Sequence, residues 1–87
     1  MNIADEPTIT VIDIEDWSLV FREEKLVAQG HDTIVSELAR LTHGEPFRLA
    51  YIYATGSELD KEITEAGQVA DTMLASRAIN LARTRVR

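Results

Sequence analysis

From residue 8 to residue 29 apolar and polar positions recur with a period near two, interrupted by short acidic stretches. Residues 8–14, Thr-Ile-Thr-Val-Ile-Asp-Ile, are rich in β-branched side chains and predict a strand. Residues 17–22 predict a second, with Trp17, Leu19 and Phe21 on one face, and residues 25–29 a third. If Glu23-Glu24 is a two-residue loop, Phe21 lies opposite Leu26 and Leu19 opposite Ala28, which gathers apolar side chains on one face. Glu-Glu is poor chemistry for such a turn, so a longer or bulged loop is the alternative.

After Gly30-His31-Asp32 the period lengthens. Ile34, Leu38 and Leu41 recur at helical spacing, Asp32 or Thr33 stands where a cap belongs, and Gly44 and Pro46 supply the stop. Residues 47–53 are apolar at most positions, the pattern expected of a strand buried in the middle of a sheet. Ser57-Glu58-Leu59-Asp60 resembles a capping box with Asp in place of Glu. A helical pattern then runs through Leu59, Ile63, Ala66, Ala70, Leu74, Ala78 and Leu81. One helix over 57–85 would be about 43 Å long, longer than a domain of this size is wide. It therefore breaks near Gly67 or overhangs.

The order β-β-β-α-β-α predicts an α+β fold: a small mixed sheet of three to four strands with two helices packed on one face. The third strand, the first helix and the fourth strand form a β-α-β unit, whose strands run parallel if they share a sheet. Residues 1–7 lack periodicity and are expected to be a flexible arm ahead of a single domain at 8–87.

Composition narrows the chemistry. There is no cysteine, which removes disulfides, thiolate catalysis and cysteine-ligated zinc. The longest apolar run, residues 49–54, is far short of the ~20 residues a membrane span needs, and the first residues are acidic where a secretory leader is basic. These features lead to the expectation of a soluble, cytoplasmic protein. The net charge of −6 is uneven: residues 1–71 hold all fifteen acids against five bases, and 72–87 hold four arginines and no acid. Such a surface repels nucleic acid and suits a basic partner. The arginines equally complement the dipole of a closing helix.

Four groups of residues carry candidate chemistry. His31, beside Asp32 at the end of a strand, has the chemistry of a general base or metal ligand. A helix separates it from His43 by roughly 18 Å, so one ion cannot hold both. The alternative is a turn in which Gly30 bends the chain and Asp32 caps the helix. Asp13 and Glu15 share a strand face with Asp16 just beyond, an oxygen set for a divalent cation, or simply a solvated edge. Gly30-His31-Asp32 and Gly56-Ser57-Glu58 would open at one end of the sheet, where ligands often bind. Acids already occupy both helix starts, and no phosphate loop is present. The last helical segment carries Ala66, Ala70, Met73, Leu74, Ala78 and Leu81 on more faces than one small sheet can cover, a surplus suited to self-association.

The runs Trp17-Ser18-Leu19-Val20-Phe21 and Lys25-Leu26-Val27-Ala28-Gln29-Gly30-His31 resemble a pattern in small uncharacterised proteins of bacteria and their phages. The likeness covers residues 13–42 and departs at Glu24, where that group has glycine. It implies a phage or mobile-element setting and transfers no functional residue.

The functional expectation is a small acidic, non-enzymatic module that binds another protein, as an inhibitor or regulator engaging a basic surface. Asp13, Glu15, Asp16, Glu23 and Glu24 are its steering charges, and Trp17 an anchor if exposed. The alternatives are a homodimeric structural or regulatory module joined through the alanine-rich last helix, and a small enzyme using His31. No cofactor, metal, direct nucleic-acid contact or membrane association is expected.

Overall fold

The structure is a computed structural model that describes residues 6–31 and 34–86, with the backbone alone of 34–36. Seven elements follow in order: β1 (Thr8–Ile14), β2 (Trp17–Arg22), β3 (Lys25–Gly30), α1 (Ile34–Thr42), β4 (Arg48–Tyr53), α2 (Glu58–Ala66) and α3 (Ala75–Ala82). The strands make one mixed sheet in the order β3-β2-β1-β4, antiparallel except for the β1–β4 pair. This is the α+β class and the mixed sheet that the sequence pattern predicts. None of the described helices is long and apolar enough to cross a membrane.

β3 and β4 run the same way, as the β-α-β unit requires, but they stand at opposite edges of the sheet. Residues 47–53 therefore do not lie in its middle. The strands buried on both faces are β1 and β2, whose consecutive apolar pairs Val11-Ile12 and Val20-Phe21 are fully buried. β4 is exposed at four of its six positions.

The helices divide between the two faces. Ile12, Ile14, Leu19, Phe21 and Leu26 pack under α2 and α3 with Leu59, Ile63, Val69, Met73 and Ala78. Ile9, Val11 and Val20 pack on the other side, against Leu38 and Leu41 of α1. The expectation of a single helical face is corrected accordingly, because successive strand residues point to opposite sides and both sides are apolar. The last helical pattern is also two helices. α2 stops at Gly67, whose φ of +85° suits glycine and whose N–H donates to the Ile63 carbonyl. At the start of α2, Ser57 Oγ accepts from the Asp60 N–H, and Asp60 reaches back to the Gly56 N–H, a close variant of the capping box. Asp32 and Thr33, expected to cap α1, lie outside the described residues.

The β2–β3 hairpin does turn at Glu23-Glu24, and Phe21 pairs with Leu26. Beyond that pair Val27 is inserted as a bulge, so Ala28 faces Val20 and Gln29, rather than Ala28, faces Leu19. The bulge adds one residue to the strand and reverses which face every later side chain meets. Val27 and Ala28 both join the α1 side, and Gln29 is turned to the α2–α3 side. There its amide donates to the Val69 carbonyl at 2.9 Å and accepts from the Val69 N–H at 3.0 Å, pinning the link between α2 and α3.

Candidate interaction surface

The acids singled out in the sequence do not form one patch. Asp13, Glu15 and Asp16 lie at one end of the sheet, at the β1–β2 turn, and Glu23 and Glu24 at the other. The six residues of β2 separate the two ends by about 20 Å. Several of these carboxylates are committed to the fold. Asp13 accepts from the hydroxyls of Ser18 and Tyr51. Glu23 accepts from the Thr8 N–H at 3.0 Å. Glu24 accepts from the Ser76 N–H and hydroxyl, while its own carbonyl accepts from the Ala75 N–H. Leu74, the residue before α3, has no side chain able to cap, so the hairpin tip caps that helix from outside.

Trp17 is half-buried against the α2–α3 core, and its indole Nε1 is buried without an acceptor among the described residues. His31 stacks edge-on to it, with ring centroids 5.0 Å apart, and its Nδ1 meets the Asp16 carbonyl at 2.8 Å. His31 thus ties the end of β3 to the β1–β2 turn. The two strand ends expected at one edge, Gly30 and Gly56, do face the same way, but two strands stand between them. Among the described residues, no three His, Asp or Glu side chains cluster as a metal site.

The residues expected to self-associate are split by the break at Gly67. Met73 and Ala78 are buried in the chain's own core, and Leu81 is partly covered. Ala66, Ala70, Met73 and Leu74 line an open cleft of about 470 Å³ between α2 and α3, beside the Glu62–Arg77 ion pair at 3.5 Å.

A surface the sequence reading missed lies on β4. Leu49, Tyr51 and Tyr53 alternate along the strand on one face, and they are 53%, 55% and 68% exposed. α1 packs over β2, two strands away, and leaves this part of its face uncovered. The hydrogen bonding reinforces the pattern. Arg48 donates to the Pro7 carbonyl and Ala54 to the Asp13 carbonyl, both at 2.9 Å, so the even positions of β4 turn their backbone groups to β1. Leu49, Tyr51 and Tyr53 consequently turn theirs outward. No described residue pairs with that outer edge. The same three residues present side chains to solvent and backbone groups to the open edge. The signal was present in the sequence as an apolar run, but an apolar run alone does not distinguish a central strand from an exposed stripe.

Tyr51 is held in place by its bond to Asp13. That hydrogen bond, partial burial and the Asp13 charge raise the phenol pKa above its usual value. Comparison with family models, curated proteins and solved structures found no match to this chain.

Proposed function

We propose that this chain is a protein-interaction module, acting by binding rather than catalysis, whose working surface is the outer edge of β4 with its Leu49–Tyr51–Tyr53 stripe. The observation that carries this reading is the coincidence of three exposed large side chains and three outward-turned peptide groups on the same residues of an edge strand. An added strand would receive hydrogen bonds from the backbone and a floor of apolar side chains beside it, the two components of β-strand addition. The acidic groups serve mainly to hold the hairpin, the α3 start and Tyr51 in place. Their exposed remainder keeps the chain soluble and biases the approach of partners.

The test places a photo-crosslinking amino acid at Tyr53 and, in a control, at Glu65, which is exposed on the far side of α2. Polypeptide adducts are expected from position 53 and not from position 65. Adducts equally frequent from both, or from neither, would remove this reading.

A further inference from the structure

The geometry points to a second copy of this chain as the strand that β4 adds, paired antiparallel about a two-fold axis at Tyr51. This rests on the reading of β4 as the working edge and names its partner.

The stripe is self-complementary. With Tyr51 on the axis, Tyr51 meets its own equivalent, and Leu49 of each copy meets Tyr53 of the other. All three pairings fall on positions whose N–H and C=O turn outward, so the ladder would gain up to about six hydrogen bonds. An axis normal to the sheet keeps both stripes on the same face, where their flanks pack side by side as one six-residue patch. Shifting the register by one residue would place outward groups opposite inward ones. Among the even shifts that remain, the one centred on Tyr51 alone pairs all three stripe residues with one another.

Charge supports the same arrangement. Between Leu49 and Tyr53 the strand carries no charge, so no like pair meets across the axis. At the ends, antiparallel pairing sets Arg48 opposite Ala54 of the second copy, next to the start of its α2, whose first turn carries Glu58 and Asp60. Glu45 lies towards the other copy's Gly56, beside which Arg85 stands with its guanidinium donating to the Thr55 carbonyl at 3.4 Å. Each end, equivalent by the two-fold, thus brings charges of both signs together rather than a run of like charge. The small shielded area places the pair among reversible, concentration-dependent dimers. Each copy also carries a net −6, so screening of their long-range repulsion should strengthen pairing.

The test follows native mass by light scattering over a wide range of concentration, at about 0.05 and about 0.5 M salt, with amide exchange read in parallel. The expected result is a monomer–dimer transition that tightens severalfold at high salt. Slowed exchange at the amides of Leu49, Tyr51 and Tyr53, and not at Ala50 or Ile52, should appear as the dimer forms. Leu49→Lys combined with Tyr53→Lys should hold the chain monomeric with unchanged circular dichroism. A monomer at every concentration overturns self-pairing while leaving adducts of another polypeptide at position 53 intact. A dimer that survives the double lysine variant overturns self-pairing through β4, while the β4 reading itself stands or falls with the crosslinks at position 53. A different polypeptide that protects the same amides and binds more weakly at high salt would overturn the second copy as occupant, in favour of a basic strand.

Discussion

At the β3 edge, Lys25 contributes a charge, Val27 a bulge and Leu74 an antiparallel bridge to Lys25, with Gln29 and Glu24 fastening the neighbouring segments. At the β4 edge the strand from Leu49 to Tyr53 has no charge, proline or bulge, and its outward peptide groups stand beside two tyrosines and a leucine. Edge strands invite pairing, and proteins normally blunt them with the devices seen at β3. One small sheet therefore blunts one edge with a charge, a bulge, a bridge and two side-chain fastenings and leaves the other bare among the described residues. The contrast, more than any single exposed residue, is what favours β4 as the proposed binding edge.

The largest effect should come from opening the closed edge. Gln29→Leu removes both bonds to Val69 and leaves two partly buried peptide groups unpaired, costing about 2 kcal/mol. In a domain of this size that lowers Tm by roughly 10 °C, which a thermal melt can measure. A shift of only a degree or two would mean that the link between α2 and α3 is held by Val69 and Met73 alone. Next in size is Glu24→Ala, which strips the external cap from α3 and should cost about 1 kcal/mol. Glu24→Gln keeps an acceptor oxygen and should recover most of it. If the two variants melt alike, the cap is not the reason.

At the open edge the same measurements should barely move. Leu49→Lys with Tyr53→Lys replaces exposed side chains on a strand whose core contacts lie on its other face, so stability should change by less than about 0.5 kcal/mol. A larger loss would show that the stripe serves the monomer's own fold. The smallest effect concerns Tyr51. Its phenol is neutral in the bond to Asp13, so its pKa is raised in the folded state, and the unfolded chain loses that proton first. The bond's stabilisation is therefore complete below the ordinary phenol value of 10.0 and declines as pH rises through the raised one. Ultraviolet titration should find one tyrosine ionising late, and Asp13→Asn should return it towards normal. An Asp13→Asn chain in which Tyr51 ionises at the same pH as in the wild type would contradict the bond.

What the sequence disclosed was local. The β-branched run of β1, the Phe21–Leu26 pairing, the Ser57 cap and the interruption at Gly67 each depend on residues a few positions apart, and each is present in the structure. What it concealed depends on distant partners. The Tyr51–Tyr53 strand pairs with β1 across some forty residues, and nothing near it marks an edge. The bulge at Val27 is legible only once Gln29 is seen to need Val69. Leu74 lacks a cap of its own, but Glu24, fifty residues earlier, gave no sign of supplying one. A run that reads as mid-sheet reads as core, so in the sequence the acids and the alanines stand out and the tyrosines do not.

The parallel partnership of β1 and β4 bears on the order in which the chain folds. β1, β2 and β3 form a meander closed by two-residue turns, whereas Thr8 meets Arg48 only after forty residues have been brought round. Loop closure of that length is entropically dearer and slower than a hairpin. The meander should form early and β4 dock late, so mutations in β2 slow folding while those in β4 mainly speed unfolding. Until β4 arrives, the outer side of β1, with its buried Ile9 and Val11, is itself an open edge. A nascent chain therefore passes through a stage in which another copy's β4 competes with its own for the same place, and domain swapping would begin there.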